Sequence, residues 1–178
     1  MAQKECRSLM QKVNGLDFYC EIRGDGPTIA LIPSGEGDCG SFSKVADMLA
    51  NEFTVFTLDM RGMSRSERPA DLGLITAQIL ASDIAELLKA LELVPASLYR
   101  CSSGGICVLN MGMQYPEVCR NLMIHEAAVL HNGQPGGAEN FINRIDTAIK
   151  NGVTTKNDFN VNTIIGQVGK EAYERKYI

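Results

Sequence analysis

Short apolar runs alternate with segments of helical periodicity along most of the chain. The runs predict strands, because a strand that is buried on both faces of a sheet carries few polar side chains. The predicted strands are residues 16–22, 28–32, 53–58, 96–101 and 122–124. Between them, apolar residues recur every three or four positions, which is the spacing of a helix with one buried face.

Three helices are predicted from this periodicity. The first two have apolar stripes made of Phe42, Val45, Met48 and Leu49, and of Ile75, Ile79, Leu80, Ile84, Leu87, Leu88 and Leu91. The third covers residues 104–115 and ends before Pro116. Strands that alternate with helices across short connections predict an α/β fold, a doubly wound and mostly parallel sheet with helices on both faces.

The pattern changes after Leu130. A polar stretch, residues 131–137, is followed by helical periodicity without a further apolar run of the strand type. We therefore expect an α/β core in residues 1–130 and the beginning of a helical lid in residues 131–178.

Composition and charge exclude several classes of protein. The net charge of −4 and the scattered basic residues argue against a surface for nucleic acid or an anionic membrane. No stretch approaches the roughly 20 apolar residues that cross a bilayer, and the N-terminus lacks the apolar core of a signal peptide. We expect a cytoplasmic protein. Its six cysteines are expected to be reduced thiols, because a chain of this length and apolar content does not need disulfides, and the absence of a CxxC pair argues against a zinc site.

The segment R-C-S-S-G-G, residues 100–105, follows a predicted strand and begins a predicted helix. This is the context of a nucleophile elbow, which usually reads G-x-S-x-G. Ser102 is the predicted nucleophile, and the amide of Ser103 at the helix N-terminus is a predicted oxyanion donor. One alternative is a plain Ser/Gly turn that caps a helix. Another is Cys101 as nucleophile, although its side chain should point back into the sheet.

Two further strand ends carry turn motifs. The glycine-rich segment 33–38 can supply a second oxyanion donor, for which Gly35 is the candidate, although an ordinary loop is the alternative. A phosphate-binding loop is disfavoured, because no G-K-[ST] follows. In the turn at residues 59–66, Asp59 and Arg61 are expected to organise loops by hydrogen bonding rather than to perform chemistry.

A serine nucleophile needs a histidine base, which in turn needs a carboxylate to orient it. Glu126 follows the strand after the elbow and is the predicted acid. The sequence contains only two histidines, His125 and His131. His125 adjoins Glu126 on one strand end, so the two side chains should point to opposite faces. Neither histidine suits a base that normally comes from a separate late loop.

Taken together, these motifs resemble those of the fungal zearalenone lactonases, a branch of the α/β-hydrolase family. Four co-linear elements carry the resemblance: residues 33–39, the D-M-x-G-M-S-R-S turn at 59–66, the C-S-S-G elbow at 101–104, and the H-E pair at 125–126. The resemblance implies an α/β-hydrolase fold that opens the macrocyclic lactone of a resorcylic acid, without metal or cofactor. It also implies that Ser102 is the nucleophile, Glu126 the acid, and the amides of Gly35 and Ser103 the oxyanion hole.

The chain also departs from that family. Arg100 replaces a glycine, Arg61 replaces a proline, and the tryptophan of the family's lid has no counterpart. The family's catalytic histidine follows the lid, so we expect it beyond Ile178, in a C-terminal part of the fold that this chain lacks. A non-catalytic ligand-binding protein, a generic carboxylesterase and a lyase remain as alternatives. The expected partner is a small-molecule lactone or ester, with no nucleic acid or membrane, and a homodimer is left open.

Overall fold

The computed structural model describes residues 5–34, 37–70, 75–101 and 105–125, together with Thr147 and Lys150. The chain divides into two units, Met1–Val129 and Leu130–Ile178. All the helices and strands described below belong to the first unit. The predicted lid at 131–178 lies almost entirely outside the described residues, so the division into core and lid stays a prediction.

Six strands of the described chain form one mixed sheet. They are β1 Cys6–Val13, β2 Leu16–Arg23, β3 Thr28–Leu31, β4 Thr54–Leu58, β5 Ala96–Cys101 and β6 Cys119–His125. Their order across the sheet is β1-β2-β4-β3-β5-β6. β2 pairs antiparallel with both β1 and β4, whereas β4, β3, β5 and β6 are mutually parallel. The mostly parallel sheet expected from the sequence is therefore confirmed.

Helices cover both faces of this sheet. They are α1 Ser43–Leu49, α2 Ala77–Ala90 and α3 Gly105–Gln114, with short 3-10 turns at Cys39–Phe42 and Pro116–Val118. Successive residues of a strand face opposite sides, so Ala30 packs in the larger core cluster with α2 and α3, while Leu31 packs in the smaller cluster with α1. The longest of these helices, α2, has 14 residues, and among the described helices none is long and apolar enough to cross a membrane.

Strand β1 is absent from the elements predicted from the sequence. It is an edge strand with side chains mostly exposed or half-buried, so it has no apolar run for the pattern to detect. It pairs with β2 along its whole length, from Cys6 opposite Arg23 to Val13 opposite Leu16. The turn between them is Asn14-Gly15, with φ of 49° and 78°. An Asn-Gly pair is a strong short-range signal for a hairpin, and it could have revealed this strand.

The buried face of α1 differs from the predicted stripe. Val45 and Met48 are 47% and 74% exposed, whereas Ala46 and Ala50 are fully buried against the sheet. Small alanine side chains let a helix lie close to a sheet, and Phe42 and Leu49 of the predicted stripe pack beside them. The start of α2 also differs, because Ile75 precedes the helix and Thr76 caps it by accepting a hydrogen bond from the amide of Ile79.

Candidate functional site

The carboxyl ends of parallel strands lie at one edge of a sheet, which is where α/β folds bind their ligands. Gly35, Ser102, Ser103 and Glu126, the residues predicted to perform chemistry, all lie outside the described residues. Their roles therefore stay predictions. The structure describes the strands and helices that lead into them and away from them.

β5 ends at Cys101 and α3 begins at Gly105, so the predicted elbow lies between a strand and a helix, as its motif requires. In the neighbouring parallel strand, His125 pairs with Cys101. Ser102 follows Cys101 in the chain and Glu126 follows His125, so the predicted nucleophile and the predicted acid each come directly after one member of this pair. This register is compatible with a nucleophile and an acid that serve one histidine.

The end of β3 lies beside β5 on its other side. Leu31 pairs with Tyr99, and the amide of Ile32 donates to the carbonyl of Tyr99 at 3.0 Å. The glycine-rich loop that follows β3 therefore begins next to the strand that leads into the elbow. An oxyanion hole with one donor from each of the two loops needs this adjacency.

This loop is tied to the turn that follows β4. The amide of Gly37 donates to the carbonyl of Ser34 at 3.0 Å, and the amide of Met60 donates to the carbonyl of Gly37 at 2.7 Å. Gly37 has a φ of 74°, and a Cβ on it would lie 2.6 Å from Cγ of Met63. Glycine is therefore required here both by the backbone conformation and by the side chain that covers it.

Asp59 holds the two loops together. Its buried carboxylate accepts hydrogen bonds from the amide of Cys39 at 2.9 Å and from Nε of Arg65 at 2.7 Å. Burial by itself raises the pKa of Asp59, but the hydrogen bonds from Arg65 and Cys39 outweigh it and hold the pKa below its ordinary value. The prediction that Asp59 organises loops is confirmed. Its partner, Arg65, was not predicted, although the arginine lies in the same turn motif.

Arg61 connects the turn after β4 to α2. Its Nε and Nη2 atoms donate to the two carboxylate oxygens of Asp83 at 2.6 and 2.7 Å. Asp83 is buried on α2 and also accepts from Nδ2 of Asn14, in the β1–β2 turn, at 2.9 Å. The hydrogen bonds from Arg61 to Asp83 raise the pKa of Arg61. The loop-organising role predicted for Arg61 is confirmed, and Asp83 is a partner that the sequence analysis did not identify.

Replacing Asp59 with asparagine should lower the free energy of unfolding by about 2 kcal/mol at neutral pH, because Arg65 loses the buried carboxylate to which its Nε and Nη2 atoms donate at 2.7 and 2.9 Å. The folded-state pKa of Asp59 is depressed, so the carboxylate stabilises the fold above the unfolded-state pKa of about 3.9. That contribution is lost as the pH falls through the folded-state pKa. Urea unfolding across pH 3–7 should therefore show a difference between wild type and variant that narrows towards acid.

The matched control is Asp25→Asn, the same change in an exposed loop. It should leave the unfolding midpoint unchanged. A difference between wild type and Asp59→Asn that stays constant with pH would contradict a depressed pKa.

A cavity of about 320 Å³ opens between the loop after β3, the turn after β4 and the residues that flank the elbow. Ser34 and Gly37 line it on one side, and Arg100 and Ile106, which flank the elbow, line it on another. The rest of its wall includes apolar side chains from the turn after β4 and from the start of α2. A cavity lined by residues that flank the predicted elbow is the expected place for part of a substrate.

Comparison with known proteins agrees with this arrangement. A model of the family described as alpha/beta hydrolase fold matches residues 27–152. A zearalenone hydrolase from Bionectria ochroleuca is 42% identical over 123 residues, which are 67% of this chain and 47% of that protein. A zearalenone hydrolase from Cladophialophora bantiana is 40% identical over 129 residues, which are 71% of this chain and 49% of that protein.

Among solved structures, a hydrolase from Pseudomonas aeruginosa matches with a TM-score of 0.71 and 21% identity, over 96% of this chain and 62% of that one. This likeness shows the fold alone. The chain spans about half the length of the two zearalenone hydrolases. The family match covers more than half of the chain, and the sheet and helices agree with it, so the resemblance inferred from the four motifs is confirmed. The chain belongs to the alpha/beta hydrolase fold family and is similar to its zearalenone hydrolases.

Proposed function

We propose that the protein is a serine hydrolase that opens the ester bond of a macrocyclic resorcylic acid lactone such as zearalenone. The observation that carries this proposal is the 40–42% identity with two zearalenone hydrolases. The register of β3, β5 and β6 supports it, because the three strands lead into the three segments that the reaction needs.

The proposed reaction has two steps. Oγ of Ser102 attacks the lactone carbonyl while a histidine, expected beyond Ile178, takes its proton and Glu126 orients the imidazole. The amides of Gly35 and Ser103 stabilise the oxyanion, and the ring oxygen leaves as an alcohol that receives the proton from the histidine. Water then attacks the acyl-enzyme with the same histidine as base, which releases a carboxylic acid and regenerates Ser102.

The test uses protein expressed from the complete reading frame. Incubation with zearalenone should give a ring-opened product heavier by one water molecule, which mass spectrometry detects. Turnover of simple aryl esters without ring opening would indicate a generic carboxylesterase instead. A protein that neither hydrolyses esters nor reacts with a serine-directed phosphonate would be a non-catalytic member of the fold.

Replacing Glu126 with glutamine should reduce kcat by roughly 10⁴-fold and leave the fold intact, because the histidine loses the carboxylate that fixes its tautomer and orientation. Turnover of zearalenone and the thermal unfolding midpoint should be measured together. Glu117→Gln, the same change at an exposed position in the 3-10 turn Pro116–Val118 before β6, is the matched control. If Glu126→Gln retained activity and an acidic residue elsewhere proved essential, the acid would be misassigned.

A further inference from the structure

Arg65 lies in the turn after β4, and its guanidinium is held against the sheet. The group stacks on the ring of Tyr19 in β2, with 3.6 Å between Cζ of Arg65 and the ring centroid. Nη1 of Arg65 also lies 3.7 Å from Oε1 of Glu21, on the same strand. An aromatic face attracts a guanidinium and restricts its movement. These contacts therefore hold in one place a side chain that is 44% exposed.

Arg65 in turn fixes the orientation of the Asp59 carboxylate. Its Nε atom donates to Oδ2 of Asp59 at 2.7 Å, and its Nη2 atom donates to Oδ1 at 2.9 Å. The backbone amide of Arg65 adds a third hydrogen bond, to Oδ2 at 3.1 Å. Two parallel hydrogen bonds from one guanidinium fix the plane of a carboxylate, whereas a single hydrogen bond leaves it free to turn. Arg65 therefore determines the direction in which Oδ1 points.

The turn after β4 holds the loop after β3 at two points. Oδ1 of Asp59 accepts a hydrogen bond from the amide of Cys39 at 2.9 Å, and Nη2 of Arg65 lies 3.1 Å from the thiol sulfur of the same cysteine. Two residues earlier in the loop, the carbonyl of Gly37 accepts a hydrogen bond from the amide of Met60 at 2.7 Å. The position of this loop therefore depends on the pair between Arg65 and Asp59.

Gly35, the predicted oxyanion donor of this loop, comes just before these two points. Ahead of Gly35, the amide of Ile32 donates to the carbonyl of Tyr99 at 3.0 Å and joins the loop to the strand that leads into the elbow. Gly35 lies outside the described residues, but the chain is held at Ile32 before it and at Gly37 after it. An oxyanion donor acts over about 2.7–3.1 Å, so a loop that shifts by about 1 Å loses much of its effect.

We propose that Arg65 is a positioning residue for the hydrolysis: through Asp59 and Cys39 it holds the loop after β3 where its amide meets the oxyanion. The inference rests on the proposed function, in which the amide of Gly35 is one of two oxyanion donors. It goes beyond that function by assigning to Arg65 an effect on kcat and not only on stability. In this role Arg65 acts through other residues and does not contact the substrate.

The test measures the hydrolysis of zearalenone by protein expressed from the complete reading frame. Arg65→Met should lower kcat by roughly 10- to 100-fold, up to the loss that a misplacement of about 1 Å causes. KM should stay within about twofold of wild type, because an oxyanion donor stabilises the transition state rather than the bound ester. The Ki of an aryl trifluoromethyl ketone, which adds to the serine and forms an oxyanion, should rise by the same factor as kcat falls.

Arg65→Lys separates positioning from charge pairing. Lysine keeps a positive charge beside the buried carboxylate of Asp59, but it cannot bind both carboxylate oxygens in a fixed plane. The kcat of Arg65→Lys should therefore lie between those of wild type and Arg65→Met, while its unfolding midpoint stays close to that of wild type. Arg68→Met, the same change at an exposed arginine three residues further along the chain, is the matched control and should keep the wild-type kcat. A wild-type kcat in folded Arg65→Met or in Arg65→Lys would overturn the positioning role and leave the proposed function standing.

Hydrogen exchange tests the positioning without turnover. The amides of Gly37 and Cys39 donate hydrogen bonds within and from the loop, so both should exchange slowly in wild type. Arg65→Met should speed their exchange by roughly tenfold or more, whereas Arg68→Met should leave it unchanged. Equal exchange in wild type and Arg65→Met would overturn the positioning role. A wild type that hydrolyses no ester would overturn the proposed function and the effect on kcat together, and faster exchange in Arg65→Met would then show that Arg65 still holds the loop.

Discussion

Ser102→Ala should lower the turnover of zearalenone by roughly four to six orders of magnitude, because the proposed acyl-enzyme forms on the hydroxyl of Ser102. Binding of the intact lactone should change little, since the hydroxyl acts mainly in the transition state. Steady-state turnover and a calorimetric Kd, measured on the same preparation, separate the two quantities. The residual activity reports what the oxyanion donors and substrate binding contribute alone.

Ser8→Ala is the matched control, because Ser8 is exposed on the edge strand β1. Its turnover should equal that of wild type. Near-normal turnover in Ser102→Ala would place the nucleophile elsewhere, and Cys101→Ala would then test the neighbouring thiol. Covalent labelling by a phosphonate that persists in Ser102→Ala would contradict the assignment by a route independent of the substrate.

Gly24→Ala should lower the free energy of unfolding by about 3 kcal/mol or more. Losses of this size are typical of a substitution that creates a steric clash or backbone strain. Gly24 has a φ of 77°, and a Cβ on it would lie 2.3 Å from the carbonyl oxygen of Phe53 and 2.4 Å from that of Ala50. Both contacts are to backbone, so no side chain can rotate away. Urea unfolding monitored by far-ultraviolet circular dichroism measures the loss.

Gly15→Ala measures the cost of the backbone conformation alone, without a steric clash. Gly15 has nearly the same φ, 78°, but a Cβ on it would have nothing within 4 Å. The strain of a left-handed alanine alone costs about 1 kcal/mol, so Gly15→Ala should be the milder variant. Equal losses for the two variants would show that the end of β2 does not approach Ala50 and Phe53 as closely as the structure indicates.

The interior of the fold follows from the sequence more closely than its periphery. β4 is almost fully buried, so its apolar run marks the strand to within one residue of its observed start. β1 lies at the edge, where one row of side chains meets solvent and hydrogen bonding rather than burial defines the strand. Half of the α1 stripe was misassigned for a related reason. The pattern counts large apolar residues and so includes Val45 and Met48, which are exposed, whereas Ala46 and Ala50 pack against the sheet together with Phe42 and Leu49.

For the site, the sequence predicts which loops meet but not what ties them together. The motif around Asp59 indicates a loop organiser, and the structure agrees. The pair between Arg61 and Asp83 joins a turn to the next helix, 22 residues away along the chain. A lone aspartate on an apolar helix face gives no sign of its partner, because only tertiary packing brings the two together. Ser102 and Glu126 remain predictions from motif and register.

The sheet order also bears on how the molecule folds. β1 and β2 form a local hairpin, whereas β3 must pair with β5, which brings Ile29 against Ser97. Contacts between distant segments carry a larger loop-closure entropy and form late. The loop after β3 reaches the elbow only through this pairing, so we expect the oxyanion side of the site to be assembled after the hairpin. A partly folded chain would then contain the predicted nucleophile before the predicted oxyanion donor of the loop after β3 reaches it, and we expect such a chain to be inactive.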